Sequence, residues 1–229
     1  MNHETALSNA KEIANTVLAP AARQNDKDSH FSSEAIGAFG QSGLLALMLP
    51  AAVGGSGLGP RTFAAVTALL AEADASVAMV YLMHVAATAT IAAARPGAAV
   101  ARTLQNIADG RHLSTLAFSE AGSRSHFWSP VSRARRNGAA VLLSAKKSWV
   151  TSAGHAQSYV VSALAPAARG PTESTLYLVP AEAPGISVAG PWDGLGLRAK
   201  TFLRSAARQL RCDVRAIPDS RSGCATRPH

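Results

Sequence analysis

Three stretches of this chain hold side chains able to do chemistry as well as to pack. LSTLAFSEAGSRSHFW at 113–128 carries Ser119, Glu120, Ser125 and His126, LLSAKKSWVTSAGHAQSYVVSA at 142–163 carries Lys147, Trp149 and Thr151, and LLAEADASVAMVYLMH at 69–84 ends on His84. Hydroxyls can donate or accept hydrogen bonds, an indole offers an aromatic face, and Glu or His can move a proton. Taken singly, each has a plainer use: Ser119 and His126 at a polar strand end, Trp149 as a core aromatic, His84 and Glu120 as hydrogen-bonded structural groups. Neither His84 nor Glu120 is assigned a catalytic role, and no metal ligand is assigned. The loop Gly54-Gly55-Ser56-Gly57-Leu58-Gly59 suggests a phosphate cradle. A dinucleotide-binding turn, however, follows a strand within a βαβ unit, and no strand precedes this loop, so it reads as a helix-to-helix connection. GxSxG, Walker A and HExxH patterns do not occur, which removes the simple hydrolase, NTPase and metalloprotease readings. Cys212 and Cys224 are spaced unlike a zinc or redox pair.

Composition narrows the class further. With 229 residues, 48% of them hydrophobic and 16% charged, the chain can bury a core without staples. The net charge of +8 is concentrated at one end: from Arg198 to His229 seven Arg and one Lys face two Asp, whereas residues 1–197 carry 14 basic and 12 acidic side chains. A nucleic-acid face would be built into folded elements with polar and aromatic residues between the basic ones, so no nucleic-acid partner is expected. Ala75 to Ala94 is twenty residues without formal charge, long enough to cross a bilayer. It is mostly Ala, interrupted by Ser76, His84, Thr88 and Thr90, so a buried helix and no membrane partner are expected. The opening MNHETALSNAKEIANTV lacks the apolar segment and cleavage site of a signal peptide, and a cytoplasmic location follows as the expectation.

The elements that must position these residues change character along the chain. Up to about residue 110 the periodicity is helical: Ala6, Ala10, Ile13, Ala14, Val17 and Leu18 share one face, and Pro20 with RQNDKDSH is expected to end that helix. Ser32 or Ser33 can cap a second helix, Pro60 can open a third to about Ala73, and Asp74 can cap a fourth whose Val77, Val80, Tyr81, His84, Val85 and Thr88 share a face. From Arg111 short β-prone runs take over. Asn137-Gly138 in VSRARRNGAAVLLSA predicts a type I′ hairpin, with further strands at SYVVSAL, STLYLV and ISVAG, forming an antiparallel sheet or barrel to about residue 198.

The order and spacing of the three stretches resemble the acyl-CoA dehydrogenase family. The loop after Pro50 resembles its Pro-Glu-Glu-Tyr-Gly-Gly-x-Gly-Leu, and Asp74-Ala75-Ser76 its Asp-Ala-Ser. Ser119, Glu120, Gly122 and Ser125 resemble its Thr-Glu-Pro-Gly-x-Gly-Ser-Asp, with Ala121, Arg124 and His126 as departures. Lys147, Trp149 and Thr151 keep the register of its Gly-x-Lys-x-Trp-Ile-Thr-Asn, where Ala145, Val150 and Ser152 are replacements. The resemblance implies an α+β protein: an N-terminal all-α domain at 1–110, then an antiparallel β-barrel domain at 111–198. It implies FAD as cofactor, with contacts from Leu116, Phe118, Ser119, Ser125, Trp149, Val150 and Thr151. In that family the backbone near Phe118 and the Ser119 hydroxyl would bond the flavin's pyrimidine side, Trp149 would pack on the isoalloxazine and Thr151 would donate to N5. Ser125 would serve the pyrophosphate and the substrate, an acyl-CoA thioester undergoing α,β-dehydrogenation; the electron-transfer partner is left open.

The resemblance stops near Arg198. PGISVAGPWDGLGLR approaches the family's last barrel strands, and residues 199–229 then read as an irregular basic tail, in which CDVRAIPD retains a trace of an Asp-x-Val-x-x-Pro strand. The expectation is a shifted reading frame and a truncated member. It would lack the C-terminal helical bundle that supplies the family's catalytic Glu and its homo-oligomer contacts, and so be inactive alone. Two other readings stand beside it: a flavin-dependent monooxygenase on the same scaffold, and a non-enzymatic remnant.

Overall fold

The structure, a computed structural model, describes residues 1–124, 126, 128–138, 140–189, 194–200 and 209–218, the last by backbone alone. Six α-helices lead: α1 His3–Ile13, α2 Ala19–Asp28, α3 Ser33–Gln41, α4 Pro60–Ala73, α5 Ala75–Ala92 and α6 Ala98–Ala108. Pro20 does not end the first helix. A π-helical turn, Ala14–Leu18, joins α1 to α2, and its wider ring, closed by Ala19 N–H donating to Ala14 O, precedes the proline that an ordinary turn would have to clear. The expected caps form. Ser32 Oγ accepts from Ala35 N–H at 3.2 Å, and Asp74 Oδ1 accepts from Ser76 and Val77 N–H at 2.8 and 3.1 Å.

Helix α5 is long and apolar enough to cross a membrane by length and composition, and in the fold it is the central helix. Its Val77, Val80, Tyr81, His84, Val85 and Thr88 are all buried. Helices α1, α3 and α4 pack on one side of it around Phe39, Leu44, Val66 and Leu70, whereas α2 buries no side chain. The glycine loop is folded onto itself: Gly57 N–H donates to Leu49 O at 2.8 Å, Leu58 N–H to Leu47 O at 3.0 Å, and Ser56 N–H to Ala46 O at 3.2 Å. These amides are committed, so they are not a phosphate cradle. Gly55 is required there because a Cβ would lie 2.1 Å from Leu49 O.

Among the described residues seven strands follow in two sheets: β1 Ser114–Ala117, β2 Arg135–Asn137, β3 Ala140–Ser148, β4 Ser158–Leu164, β5 Ser174–Pro180, β6 Ile186–Ala189 and β7 Gln209–Pro218. One sheet runs β1-β4-β5 and the other β2-β3-β7-β6. Three differences from the sequence reading stand out. The β1–β4 pairing is parallel, because the chain leaves β1 to build the β2–β3 hairpin before returning as β4, so the β region is not wholly antiparallel. Asn137 pairs with Ala140, which places it in β2 and leaves Gly138, at φ +61°, to begin the turn. The segment read as an irregular tail contains β7, which pairs with both β3 and β6. Helices and sheets share their cores: Phe31 and Val80 pack with Leu143, Val150, Tyr159 and Val161, and Ile91, Leu104 and Ile107 pack with Val160.

Candidate cofactor site

The segments at 116–120 and 147–151 meet edge to edge. Beyond β1 the chain stays extended, so that Ser148 N–H donates to Ser119 O at 2.8 Å and Glu120 forms an antiparallel bridge with Lys147. Beneath that seam lies a buried ion pair. Lys147 is wholly buried, its Nζ 2.9 Å from Glu120 Oε1, and it also donates to Phe118 O at 3.2 Å and Ser162 Oγ at 3.0 Å. Glu120 Oε2 accepts the N–H groups of Val131 and Ser132, the latter at 2.9 Å. Burial alone would raise the Glu120 carboxyl, but the bonds from Ser132 and Lys147 and the ammonium charge outweigh it and hold the pKa below the ordinary carboxylate range. Glu120 is thereby an ionised structural anchor.

Above the seam the residues suit a flat, heteroatom-rimmed ring. Trp149 is 56% exposed and sits at φ +60°, a left-handed conformation uncommon for a bulky side chain that turns the chain sharply out of β3. Thr151 is buried, Ser119 is half-buried, and neither side chain makes a hydrogen bond among the described residues. Val150 points into the core, and Leu116 and Phe118 pack their side chains toward the α5–α6 cluster, so these three offer backbone to the seam. Arg124, exposed at φ +51°, adopts the backbone a glycine would. Ser125 lies outside the described residues. His126 stacks on Trp128, centroids 5.0 Å apart, and His84 serves the core: Ser114 N–H donates to its Nδ1 at 3.0 Å and its Nε2 lies 3.0 Å from Leu45 O. Burial depresses the His84 pKa to about 4. The sequence reading does not pair Glu120 with Lys147. A signal for the pairing existed, since Val141, Leu143, Ala145 and Lys147 alternate onto one strand face, and a lysine on a buried face needs a partner.

Residues 1–111 match the acyl-CoA dehydrogenase N-terminal domain and residues 115–205 its middle domain, and the chain belongs to the acyl-CoA dehydrogenase family. It is 35% identical over 187 residues to amino sugar nitrososynthase RubN8 of Streptomyces rubradiris, covering 80% of this chain and 44% of that protein. It is 29% identical over 195 residues to the short/branched chain specific acyl-CoA dehydrogenase of Bos taurus mitochondria, covering 85% and 45%. Its fold resembles a glutaryl-CoA dehydrogenase from Mycobacterium smegmatis solved in complex with FADH2, with a TM-score of 0.79, 20% identity, and 93% of this chain and 53% of that one covered. The chain spans about half the length of the curated relatives it matches.

Proposed function

We propose that this chain supplies the FAD-holding part of an acyl-CoA dehydrogenase, at the seam of residues 116–119 and 149–151, for dehydrogenation of an acyl-CoA thioester between Cα and Cβ in which the Cα proton goes to a base that no residue of the seam supplies. The observation that carries the flavin reading is the juxtaposition itself: a 2.8 Å bond from Ser148 N–H to Ser119 O brings an exposed indole beside hydroxyls that have no partner among the described residues. The bound flavin would supply hydride acceptance. The chain's residues would orient it: Trp149 against the ring, the Thr151 hydroxyl toward N5, and Ser119 with the backbone around Phe118 at the pyrimidine edge. Glu120 is excluded as the base that takes the Cα proton, because both of its oxygens are held by Lys147, Val131 and Ser132.

A second reading, flavin-dependent monooxygenation, is favoured by one observation: identity to the nitrososynthase, 35%, exceeds identity to the bovine acyl-CoA dehydrogenase, 29%. Titration of the chain with FAD and with FMN, followed by visible absorbance and tryptophan quenching, tests the cofactor. Thr151→Val is expected to weaken FAD by about tenfold, the loss of roughly one hydrogen bond. Absence of binding to either flavin would sink the flavin reading. With flavin bound, anaerobic bleaching by an acyl-CoA favours dehydrogenation, whereas bleaching absent and oxygen-dependent substrate oxidation by the reduced form favours the second reading.

A further inference from the structure

The Glu120–Lys147 pair joins four segments that are distant in sequence. Through Glu120 it reaches the chain beyond β1 and the Val131–Ser132 amides ahead of β2. Through Lys147 it reaches β3, the Phe118 carbonyl, and Ser162 on β4. Each end of the pair therefore belongs to one of the two segments of the seam, and the ammonium fixes the carbonyl of the residue just before Ser119. A peptide group is planar, so fixing the Phe118 carbonyl also fixes the plane that carries the Ser119 N–H. On the other strand, Lys147 lies two residues before Trp149, where the backbone turns to φ +60°. A slip of Lys147 along β3 would carry the indole and Thr151 with it.

A merely stabilising role does not explain why charge is used. Buried ion pairs commonly stabilise no better than apolar side chains of similar volume, and a well-packed apolar pair would glue the same strands together. What an ammonium adds is direction: its acceptors are a carboxylate at 2.9 Å, a hydroxyl at 3.0 Å and a main-chain carbonyl at 3.2 Å, which together specify one register between the segments. Apolar contacts leave that register free to slide.

We infer that Glu120 and Lys147 are positioning residues for the flavin: without touching it, they lock the Phe118–Ser119 peptide against the Trp149–Thr151 turn so that the ring contacts of the two segments are made together. The inference rests on the flavin reading above. It separates affinity from stability. Lys147→Met strands the Glu120 carboxylate and should lower both the melting temperature of the flavin-free chain and its affinity for FAD. The double variant Glu120→Gln/Lys147→Met removes the stranded charge while the amide oxygen still accepts from the Val131 and Ser132 N–H groups. It should recover the melting temperature while its FAD affinity stays about tenfold or more below that of the unaltered chain, the scale on which supporting residues act behind ligand-contacting ones.

Recovery of FAD affinity together with melting temperature would overturn the inference, because the pair would then be structural only. Ser162→Ala carries the test should the double variant fail to fold. It removes one acceptor of the ammonium without stranding a charge, and FAD affinity must fall several-fold at an unchanged melting temperature; unchanged affinity overturns the inference. If the unaltered chain takes up neither FAD nor FMN, the flavin reading fails first and the positioning role with it. A chain that binds FAD and whose variants bind it equally well defeats the positioning role alone.

Discussion

At the scale of single residues, His84 gives the clearest quantitative expectation. It is fully buried and neutral, accepting from Ser114 N–H through Nδ1, which leaves the proton on Nε2 facing Leu45 O. Its pKa falls from the ordinary 6.5 to about 4, so the unfolded chain takes up a proton before the folded one does. The linked stability is fully present above pH 6.5 and is lost as pH falls from there toward 4, a loss of about 3 kcal/mol over that window. Glu120, with its lowered pKa, acts in the same sense at lower pH, while Asp74, whose burial raises its carboxyl despite two amide bonds, acts in the opposite one. Urea unfolding at pH 7, 5.5 and 4.5 checks the slope, and His84→Gln should flatten it; an equal slope in the variant would assign the loss to other groups. The sequence placed His84 correctly on the inward face, since helical spacing aligns it with Val77, Val80 and Tyr81. It was silent on the partners, which come from a 3-10 turn and a strand far along the chain.

Elements were legible in proportion to how local their causes are. Ser32, Pro60 and Asp74 start helices for reasons contained within four residues; the sequence locates the last two and narrows the first to Ser32 or Ser33. Asp74→Ala should destabilise by about 1 kcal/mol and Asp74→Asn by less, since Asn retains an accepting oxygen for the Ser76 and Val77 amides. Chemical denaturation of the two variants decides this, and equal losses would mean the cap bonds are not what matters. The π turn before Pro20 leaves no mark in the sequence because its pattern differs from an α-helix by a single residue in the hydrogen-bond ring. β7 is only hinted at, by the strand trace in CDVRAIPD, for a different reason. Leu210, Cys212, Val214 and Ala216 alternate with Gln209, Arg211, Asp213 and Arg215, a strand pattern overshadowed by the arginine content. The parallel pairing of β1 with β4 had no local signature at all, because the pairing depends on where the intervening hairpin returns the chain.

Across the whole molecule, the helical and β regions are one thermodynamic unit more than two. Phe31, at 4% exposure, belongs to the same core as Val150, Tyr159 and Val161, and its ring stacks on His155 with centroids 4.0 Å apart. Phe31→Ala should therefore cost about 3–5 kcal/mol and shift the helix signal by circular dichroism and the tryptophan signal of the β region together. Separate transitions would show that the shared core does not couple them. The family's division into N-terminal and middle domains, at residues 111 and 115, thus marks a change of secondary structure and not a break in packing.

The return of the chain from β1 through a complete hairpin to β4 also sets an order of assembly. Parallel partners such as Ser114 and Ser158 can meet only after the intervening stretch, with all of β2 and β3, has closed into a loop, an entropic toll that neighbouring helices never face. During refolding, helix content should consequently return early, and the competence to capture a ligand at the seam should trail it as the slowest event, visible in a stopped-flow experiment as a lag between the two signals.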